Sequence, residues 1–346
     1  MRCDRRRAAA LLGLFLSFAS IVESSENPVL VYKKKYIMGT IFEIAAYDQS
    51  PQRAARAIEN AFQEIVRLDD LLSNYKPDSA LSKLNRSAHF QTQRVPSDLY
   101  RVIDQAVQFS KLSDGEFDIS IAPLVNLWKA ALRGDGTPSL AQQKEVRSCV
   151  GYEKIALTPP DRISFRSPCL QLDLGAIGKG YAVDRAAEVL HSMGIHDALL
   201  VAGGSTILGM GTPPNQAGWC VHLRDPSNKI DPQILLKDES VSTSEQTAPS
   251  LLGNGSAGHI IDPETGQPLK TGFAVSAVTK TASASDGLST TLLLLGPTKG
   301  KALVKNMADV SAVWISHEAQ PEIVNGGAQI LLGKGAQTPV SLGKIP

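Results

Sequence analysis

Apolar residues along this chain follow strand spacing in some segments and helical spacing in others. Residues 29–47 have strand character and are interrupted at Gly39, which predicts two strands joined by a tight turn. Ser50 and Pro51 then supply an N-cap and a first-turn proline. Helical spacing follows at Ala54, Ile58, Ala61, Phe62, Ile65, Leu68 and Leu72. This pattern predicts a strand pair followed by a long amphipathic helix.

The rest of the chain mixes the two kinds of element. Further helices are predicted at 97–112, at 139–149, at 177–193 with Gly194 as its end, and from about Ser283. Strands are predicted at 163–165, 171–174, 198–202, 219–223, 241–242, 259–261, 273–279, 310–315 and 329–332. Because strands and helices do not alternate regularly, we expect an α+β fold with mixed, largely antiparallel sheets and packed helices.

The N-terminus has the layout of a secretory signal peptide. Four arginines within the first seven residues precede an apolar run over residues 8–22. We therefore expect a cleaved signal at residues 1–24, a periplasmic mature protein, and a single domain over residues 25–346. An uncleaved segment would instead attach the protein to the inner membrane.

The net charge of the chain argues against one class of function. A net charge of +1 provides no basic surface for nucleic acid, so polynucleotide binding is disfavoured.

The cysteine spacing leaves open whether a disulfide forms. Cys149, Cys169 and Cys220 follow the N-terminal segment, and an odd count with wide spacing is not a disulfide framework. Cys149 and Cys169 could pair after export, or all three could be buried as small apolar residues.

A glycine-rich turn, residues 173–180, is the most informative stretch for chemistry. A short apolar segment ends there and a helix begins, with Lys179 in its first turn. Helix N-termini offer free N–H groups, glycines allow a ligand to approach closely, and Lys179 adds a full positive charge. The spacing matches neither the dinucleotide-binding fingerprint nor the P-loop. The turn is therefore either a phosphate-binding loop or a plain helix cap.

Two other motifs carry candidate chemical groups. Asp286 and Thr290 lie four residues apart on one predicted helix, so their oxygens can reach the same point. Ligation by a few oxygens suits Mg²⁺, which keeps waters and shares phosphate oxygens. His259 precedes an Asp-Pro-Glu-Thr-Gly turn and is a candidate acid–base group. Each motif also has an ordinary structural explanation, as a helix cap or a turn.

In this order the motifs resemble those of the ApbE family of FAD:protein FMN transferases. The resemblance covers nearly all of the chain after the N-terminal segment, and it includes Asn85. Its segments are 38–40, 72–81, 113–118, 125–128, 173–184, 203–204, 259–266 and 286–290. One departure concerns Glu245, which follows Thr243 and Ser244 where the family usually has glycine.

The resemblance implies a set of site residues and a reaction. Mg²⁺ is expected to bind the Ala176 carbonyl, Asp286 and Thr290, and His259 corresponds to the catalytic base. Contacts with FAD are implied for Met38, Phe117, Asp118, Ile119, Asp173, Lys179 and Ile260, with Tyr75 as a flavin or adenine stacking residue. FMN would move from FAD to a Thr or Ser hydroxyl of an acceptor protein, and AMP would leave.

Substrate and partner expectations follow from the same family. The acceptor is expected to carry an Asp-x-x-Ser/Thr-Gly-Ala-Thr stretch and to be an exported or membrane-bound redox protein, typically a subunit of a membrane redox complex. An alternative is a Mg²⁺-dependent FAD pyrophosphatase, in which water replaces the acceptor hydroxyl and FMN and AMP are released. A third reading, a flavin-binding protein without catalysis, is disfavoured because Asp286, Thr290 and His259 are all present.

Overall fold

The computed structural model describes residues 27–334, except for 132, 134, 135, 247–259 and 319. The helices are α1 (Pro51–Leu72), α2 (Ala80–Ser87), α3 (Ser97–Leu112), α4 (Ala122–Ala130), α5 (Leu140–Arg147), α6 (Gly178–Ser192) and α7 (Ala282–Val304). The strands are β1 (Val29–Ile37), β2 (Thr40–Asp48), β3 (Gln93–Arg94), β4 (Ile155–Thr158), β5 (Arg162–Phe165), β6 (Asp197–Ala202), β7 (Thr206–Met210), β8 (Trp219–His222), β9 (Ile230–Leu236), β10 (Glu239–Glu245), β11 (Phe273–Thr279), β12 (Ser311–Ser316), β13 (Pro321–Val324) and β14 (Gln329–Lys334).

Three antiparallel sheets are present within the described part of the chain. The main sheet has eight strands in the order β1-β2-β6-β7-β10-β11-β12-β13, and every neighbouring pair in it is antiparallel. A second sheet has the order β14-β9-β8, and a third has the order β3-β5-β4. The α+β fold with largely antiparallel sheets that the sequence predicts is therefore confirmed.

The main sheet is covered on both faces, and the sequence of β6 shows why. Helices α1, α6 and α7 pack on one face, and the second sheet packs on the other. Within β6, Leu200 belongs to the helix-side core, whereas Leu199 and Val201 belong to the core shared with the second sheet. A strand that is buried on both faces must be apolar at successive positions. Fully burying one such leucine stabilises the fold by roughly 2 kcal/mol.

Helix α1 begins where the sequence predicts. The Ser50 hydroxyl accepts a hydrogen bond from the Arg53 N–H at 3.3 Å, and Pro51 occupies the first helical position. Asp48 accepts from the Ser50 N–H at 2.6 Å and pairs with the Arg53 guanidinium at 2.7 Å. The apolar residues predicted for its buried face are all in the core. This helix lies beside α6 and against β1 and β2.

Two segments that the sequence predicts as strands, 171–174 and 259–261, do not form strands among the described residues. In the second, Ile261 makes only an isolated bridge to Pro268. Residues 171–174 do not form a strand, because Gln171 makes only an isolated bridge to Ile121 and a turn follows. The Asn85 side chain takes up both backbone hydrogen-bonding groups of Leu172, so this segment is tied to α2 instead of to a sheet. Helix α7 is interrupted at Gly296, where φ is 69°.

The structure resolves the cysteine question. Cys149 and Cys169 form a disulfide, while Cys220 is a free, exposed thiol. The bond joins the segment after α5 to the segment that leads into the glycine-rich turn. The pairing that spacing left open is therefore present.

Some sequence predictions fall outside the described residues. The signal segment 1–24 and His259 both lie there. Among the helices that the structure describes, none is both long and apolar enough to cross a lipid bilayer.

Candidate active site

A cleft of about 890 Å³ lies where the hairpin turn between β1 and β2, the glycine-rich turn, the end of β10 and the start of α7 meet. This volume is within the range of about 300–1,000 Å³ typical of ligand pockets. The sequence-predicted residues that line it are Met38, Tyr75, Phe117, Asp118, Ile119, Asp173, Ala176, Lys179, Ile260, Asp286 and Thr290. Apart from His259, which is outside the described residues, the fold thus brings all the predicted site residues to one cleft.

The glycine-rich turn is held by hydrogen bonds from three directions. Asn85 binds the backbone of Leu172 at 2.8 and 3.0 Å, and the Asp173 N–H donates to the Ile119 carbonyl at 2.8 Å. Asp173 accepts from the Gly175 N–H at 2.7 Å and from the Asn74 side chain at 2.9 Å. Both carboxylate oxygens of Asp173 therefore shape the cleft wall, as in an Asx turn.

Gly180 lies where α6 and α7 are in close contact. A Cβ added at Gly180 would lie 2.2 Å from the Ala282 carbonyl oxygen and 2.7 Å from the Asp286 Cβ. The Gly180 N–H donates to Asp286 Oδ2 at 2.9 Å. On α6, Asp184 accepts hydrogen bonds from the first two N–H groups of α7, those of Ala282 and Ser283, at 2.6 and 2.8 Å. These contacts fix where the Asp286 carboxylate lies.

We expect Gly180→Ala to destabilise the protein by about 1–3 kcal/mol, because overpacking forces the two helices apart. The same movement would pull Asp286 from its N–H donor. Urea unfolding followed by circular dichroism measures the change. Gly272→Ala is the matched control, since a Cβ there meets nothing within 4 Å. Equal stability of the two variants would contradict the close approach at Gly180.

Asp286 and Thr290 lie on the face of α7 that points to the main sheet. Asp286 Oδ1 accepts from the Thr206 hydroxyl at 3.3 Å, and Thr290 Oγ1 lies 3.3 Å from the Ser244 hydroxyl. A row of hydroxyls continues between β10 and α7 through the pairs Ser240–Ser285, at 2.8 Å, and Ser244–Ser289, at 2.8 Å. This buried polar row orients Asp286 and Thr290.

The donor set fits a magnesium ion. Asp286 offers a carboxylate, Thr290 a hydroxyl and Ala176 a backbone carbonyl, which are the hard oxygen ligands that Mg²⁺ prefers. The Gly180 N–H, which would ordinarily bond the Ala176 carbonyl four residues earlier, donates to Asp286. Among the described residues nothing else donates to that carbonyl, so its oxygen is available. No group of three His, Cys, Asp or Glu residues that could hold a metal occurs in the described part of the chain.

Lys179 adds positive charge beside this set. Its ammonium group donates to the Gly175 carbonyl at 2.8 Å and lies 3.9 Å from Asp286 Oδ2. The side chain is 26% exposed, so it retains access to the cleft. A lysine at a helix N-terminus, next to a glycine-rich turn, is suited to binding phosphate oxygens.

The segment 117–119 forms an apolar wall with one buried acid. Phe117 and Ile119 are each 1% exposed, and the Phe117 ring packs edge-on against Phe109. Asp118 accepts from the backbone N–H groups of Ser120, at 2.7 Å, and Tyr152, at 2.8 Å. Burial raises the pKa of the Asp118 carboxyl above its ordinary value, and these hydrogen bonds oppose the rise.

Met38 sits in the two-residue turn between β1 and β2. Both Met38 and Gly39 have left-handed backbone, with φ of 53° and 73°. Such turns require positive φ, which is unfavourable for methionine. The turn packs against the Gly203 loop, where an added Cβ would lie 2.5 Å from the Thr40 hydroxyl. Two motifs far apart in the sequence therefore form one side of the cleft.

Tyr75 also lines the cleft and is 76% exposed. The Lys129 ammonium donates to its hydroxyl at 2.7 Å and lies over the ring, 4.7 Å from the centroid. The exposed aromatic side chain is suited to stacking on a planar group that enters the cleft.

The segment after His259 is fixed by a buried glutamine that the sequence analysis missed. The Gln246 side chain accepts from the Ile260 N–H at 2.8 Å and donates to the Ile260 carbonyl at 2.8 Å. The Trp128 indole donates to the Gly266 carbonyl at 2.8 Å at the other end of the turn. Gln246 is 3% exposed, but no local pattern marks a single glutamine as buried. The buried Thr206 was missed for the same reason. Asp184 lies in the 173–184 segment of the family resemblance, but the sequence assigned it no contact.

Comparisons with known proteins identify the family to which the chain belongs. The model of the ApbE family matches residues 38–314. The chain belongs to the ApbE family. Among curated relatives, the FAD:protein FMN transferase of Vibrio cholerae is 28% identical over 276 residues, covering 78% of this chain and 82% of the relative. The Escherichia coli protein of the same name is 28% identical over 282 residues, with coverage of 78% and 79%.

Solved structures of ApbE proteins share the fold. The Pseudomonas stutzeri flavinyl transferase ApbE, in its apo form, aligns with a TM-score of 0.75 at 25% identity, covering 87% of this chain and 97% of that structure. The Vibrio cholerae flavin transferase ApbE aligns with a TM-score of 0.72 at 25% identity, covering 88% and 97%. The family resemblance that the motifs indicate is thereby confirmed.

Proposed function

We propose that this protein is a Mg²⁺-dependent FAD:protein FMN transferase. The observation that carries the proposal is one cleft in which Asp286, Thr290 and the Ala176 carbonyl lie together with Lys179 and the apolar segment 117–119. Asp286, Thr290 and the Ala176 carbonyl suit a cation, Lys179 suits a pyrophosphate, and the apolar segment 117–119 suits a flavin ring. Family membership and the names of the relatives support the same activity.

The residues of the chain divide the work of binding and orientation. Lys179 and the N-terminus of α6 would bind the pyrophosphate of FAD. Met38, Phe117, Asp118, Ile119, Asp173 and Ile260 would contact FAD, with Tyr75 stacking on one of its rings. Bound Mg²⁺, held by Ala176, Asp286 and Thr290, would neutralise charge on the phosphate oxygens.

An acceptor Thr or Ser oxygen attacks the phosphorus on the riboflavin side of FAD. The bond from that phosphorus to the bridging oxygen breaks, and AMP leaves with this oxygen. His259 would take the hydroxyl proton as general base. Ile260, the next residue in the sequence, lines the cleft and is held there by Gln246.

We further propose that the mature protein is exported and acts on an exported or membrane-bound redox protein with an Asp-x-x-Ser/Thr-Gly-Ala-Thr stretch. The arginine-rich, apolar N-terminus supports cleavage near residue 24 and a periplasmic location. The Cys149–Cys169 disulfide is consistent with an oxidising compartment.

Transfer and hydrolysis are separated by one experiment. The purified protein is incubated with FAD, Mg²⁺ and a carrier protein that bears an Asp-x-x-Thr-Gly-Ala-Thr stretch. A parallel reaction uses the same carrier with both Thr residues of the stretch replaced by Ala. We expect a mass increase of one FMN on the Thr carrier only, and one AMP released for each FMN attached. Mass spectrometry and chromatography measure both. If free FMN and AMP instead accumulate in solution at equal rates and the carrier gains no mass, the protein is a pyrophosphatase.

A further inference from the structure

Two charged residues at the edge of the cleft have no part in the proposed cation and flavin sites. Arg224 follows β8, and its Nε donates to Oε2 of Glu245, at the end of β10, at 2.7 Å. Both residues line the cleft. The Arg224 side chain is 66% exposed and that of Glu245 is 18% exposed. The pair therefore joins the second sheet to the main sheet at the edge of the cleft.

The alternation of β10 separates this pair from the cation ligands. Ser240 and Ser244 face α7, as their hydrogen bonds to its hydroxyls show. Val241 belongs to the core shared with the second sheet, and Glu245 lies on that same face of the strand. The Glu245 charge is thus met by Arg224, on the side of the sheet opposite to Asp286 and Thr290.

Arg224 is the arginine among the cations that line the cleft, and it has unused donors. Of the three lysines in the lining, Lys76 is paired with Asp69 and Asp70, Lys179 lies close to Asp286, and Lys129 donates to the Tyr75 hydroxyl. A guanidinium has five N–H donors, and within the described residues Arg224 bonds only through Nε. Its remaining donors form a planar fork that matches a carboxylate. Because Glu245 already cancels the positive charge, the pair suits one exposed carboxylate better than a pyrophosphate.

We propose that Arg224 binds a carboxylate of the acceptor protein and that Glu245 holds the guanidinium in place for it. This inference rests on the proposed transferase function and adds a determinant of acceptor specificity. The two hydroxyl residues of that stretch follow its Asp by three and by six residues, so they lie up to about 10 and 20 Å from it in extended chain. Such a stretch can place its carboxylate at the cleft edge while its hydroxyl enters the cleft.

A double-mutant cycle between enzyme and acceptor tests the contact. Initial rates of FMN transfer are measured for the parent and Arg224→Gln, with a carrier bearing Asp-x-x-Thr-Gly-Ala-Thr and with the same carrier carrying Asn in place of that Asp. We expect Arg224→Gln to raise the acceptor KM about tenfold and to change kcat by less than about twofold. With the Asn carrier the variant and the parent should have the same KM.

Arg94→Gln is the matched control, because Arg94 also donates from Nε to a carboxylate, that of Asp161, and lies outside the cleft. Its acceptor KM should equal that of the parent. If the two changes act independently, so that their effects on KM multiply when Arg224→Gln is combined with the Asn carrier, the inference is overturned. A tenfold loss of FAD affinity in Arg224→Gln would also overturn it. A parent protein that transfers FMN to neither carrier would overturn the proposed function itself.

Discussion

Asp286→Ala is expected to lower Mg²⁺-dependent AMP release from FAD by about 10³-fold. Asp286 is the only carboxylate among the proposed cation ligands, and stabilisation by a metal ion at a transferring phosphoryl group is worth several kcal/mol. The change also leaves the Gly180 N–H without its acceptor, which costs about 1–3 kcal/mol of stability. Rates across a range of Mg²⁺ concentrations, together with urea unfolding, measure the two effects separately.

Two further variants make that result specific. Asp286→Asn keeps an oxygen that can accept from Gly180 and removes the charge, so it should lose activity with most of its stability retained. Asp70→Ala removes an exposed carboxylate outside the cleft lining and should behave like the parent. Mg²⁺ should raise the melting temperature of the parent in the presence of FAD and not that of Asp286→Asn. Parental FAD turnover by Asp286→Ala would show that the cation binds elsewhere.

Local sequence signals predicted much of the fold. Helix α3 and strand β11 have the bounds that apolar spacing predicts, and α1 begins at its predicted cap. Strands β7 and β9 were missed. Gly209 interrupts the first, where it allows close contact with Trp219 and Leu236, and Pro232 interrupts the second. Residues 171–174 were wrongly assigned to a strand because apolar alternation gives no sign that Asn85 will take their backbone hydrogen bonds.

In the site, too, residues within local motifs were predicted and long-range contacts were not. Motif residues such as Lys179 and Asp286 were found because each lies in a local pattern with recognisable chemistry. The hydroxyl row between β10 and α7 depends on the register of two segments 45 residues apart, and serine spacing in either one alone does not predict it. The Glu245 carboxylate was visible as a departure from the family pattern. Its partner Arg224 could not be predicted, because the contact depends on how the second sheet packs against the main sheet.

These long-range contacts also explain why the cleft is assembled from so many motifs. Asp184 on α6 binds the N-terminus of α7, and Gly180 on the same helix binds Asp286. A change in either helix therefore alters the phosphate side and the cation side together. Gln246 and Trp128 hold the 260–266 turn from two other elements. The site thus depends on the packing of the whole α7 face of the main sheet.

His259→Ala is expected to reduce FMN transfer to an acceptor by about 10²–10⁴-fold, the usual contribution of a positioned general base. FAD binding should remain, because the proposed cation and pyrophosphate contacts come from Asp286, Thr290 and Lys179. The pH–rate profile of the parent should fall on its acidic side as the imidazole takes up a proton, and the variant should lose that limb. His222→Ala is the control, since His222 pairs with Asp231 on the exposed face of β8. Transfer by His259→Ala at the parental rate, with an unchanged pH profile, would assign the base to another group.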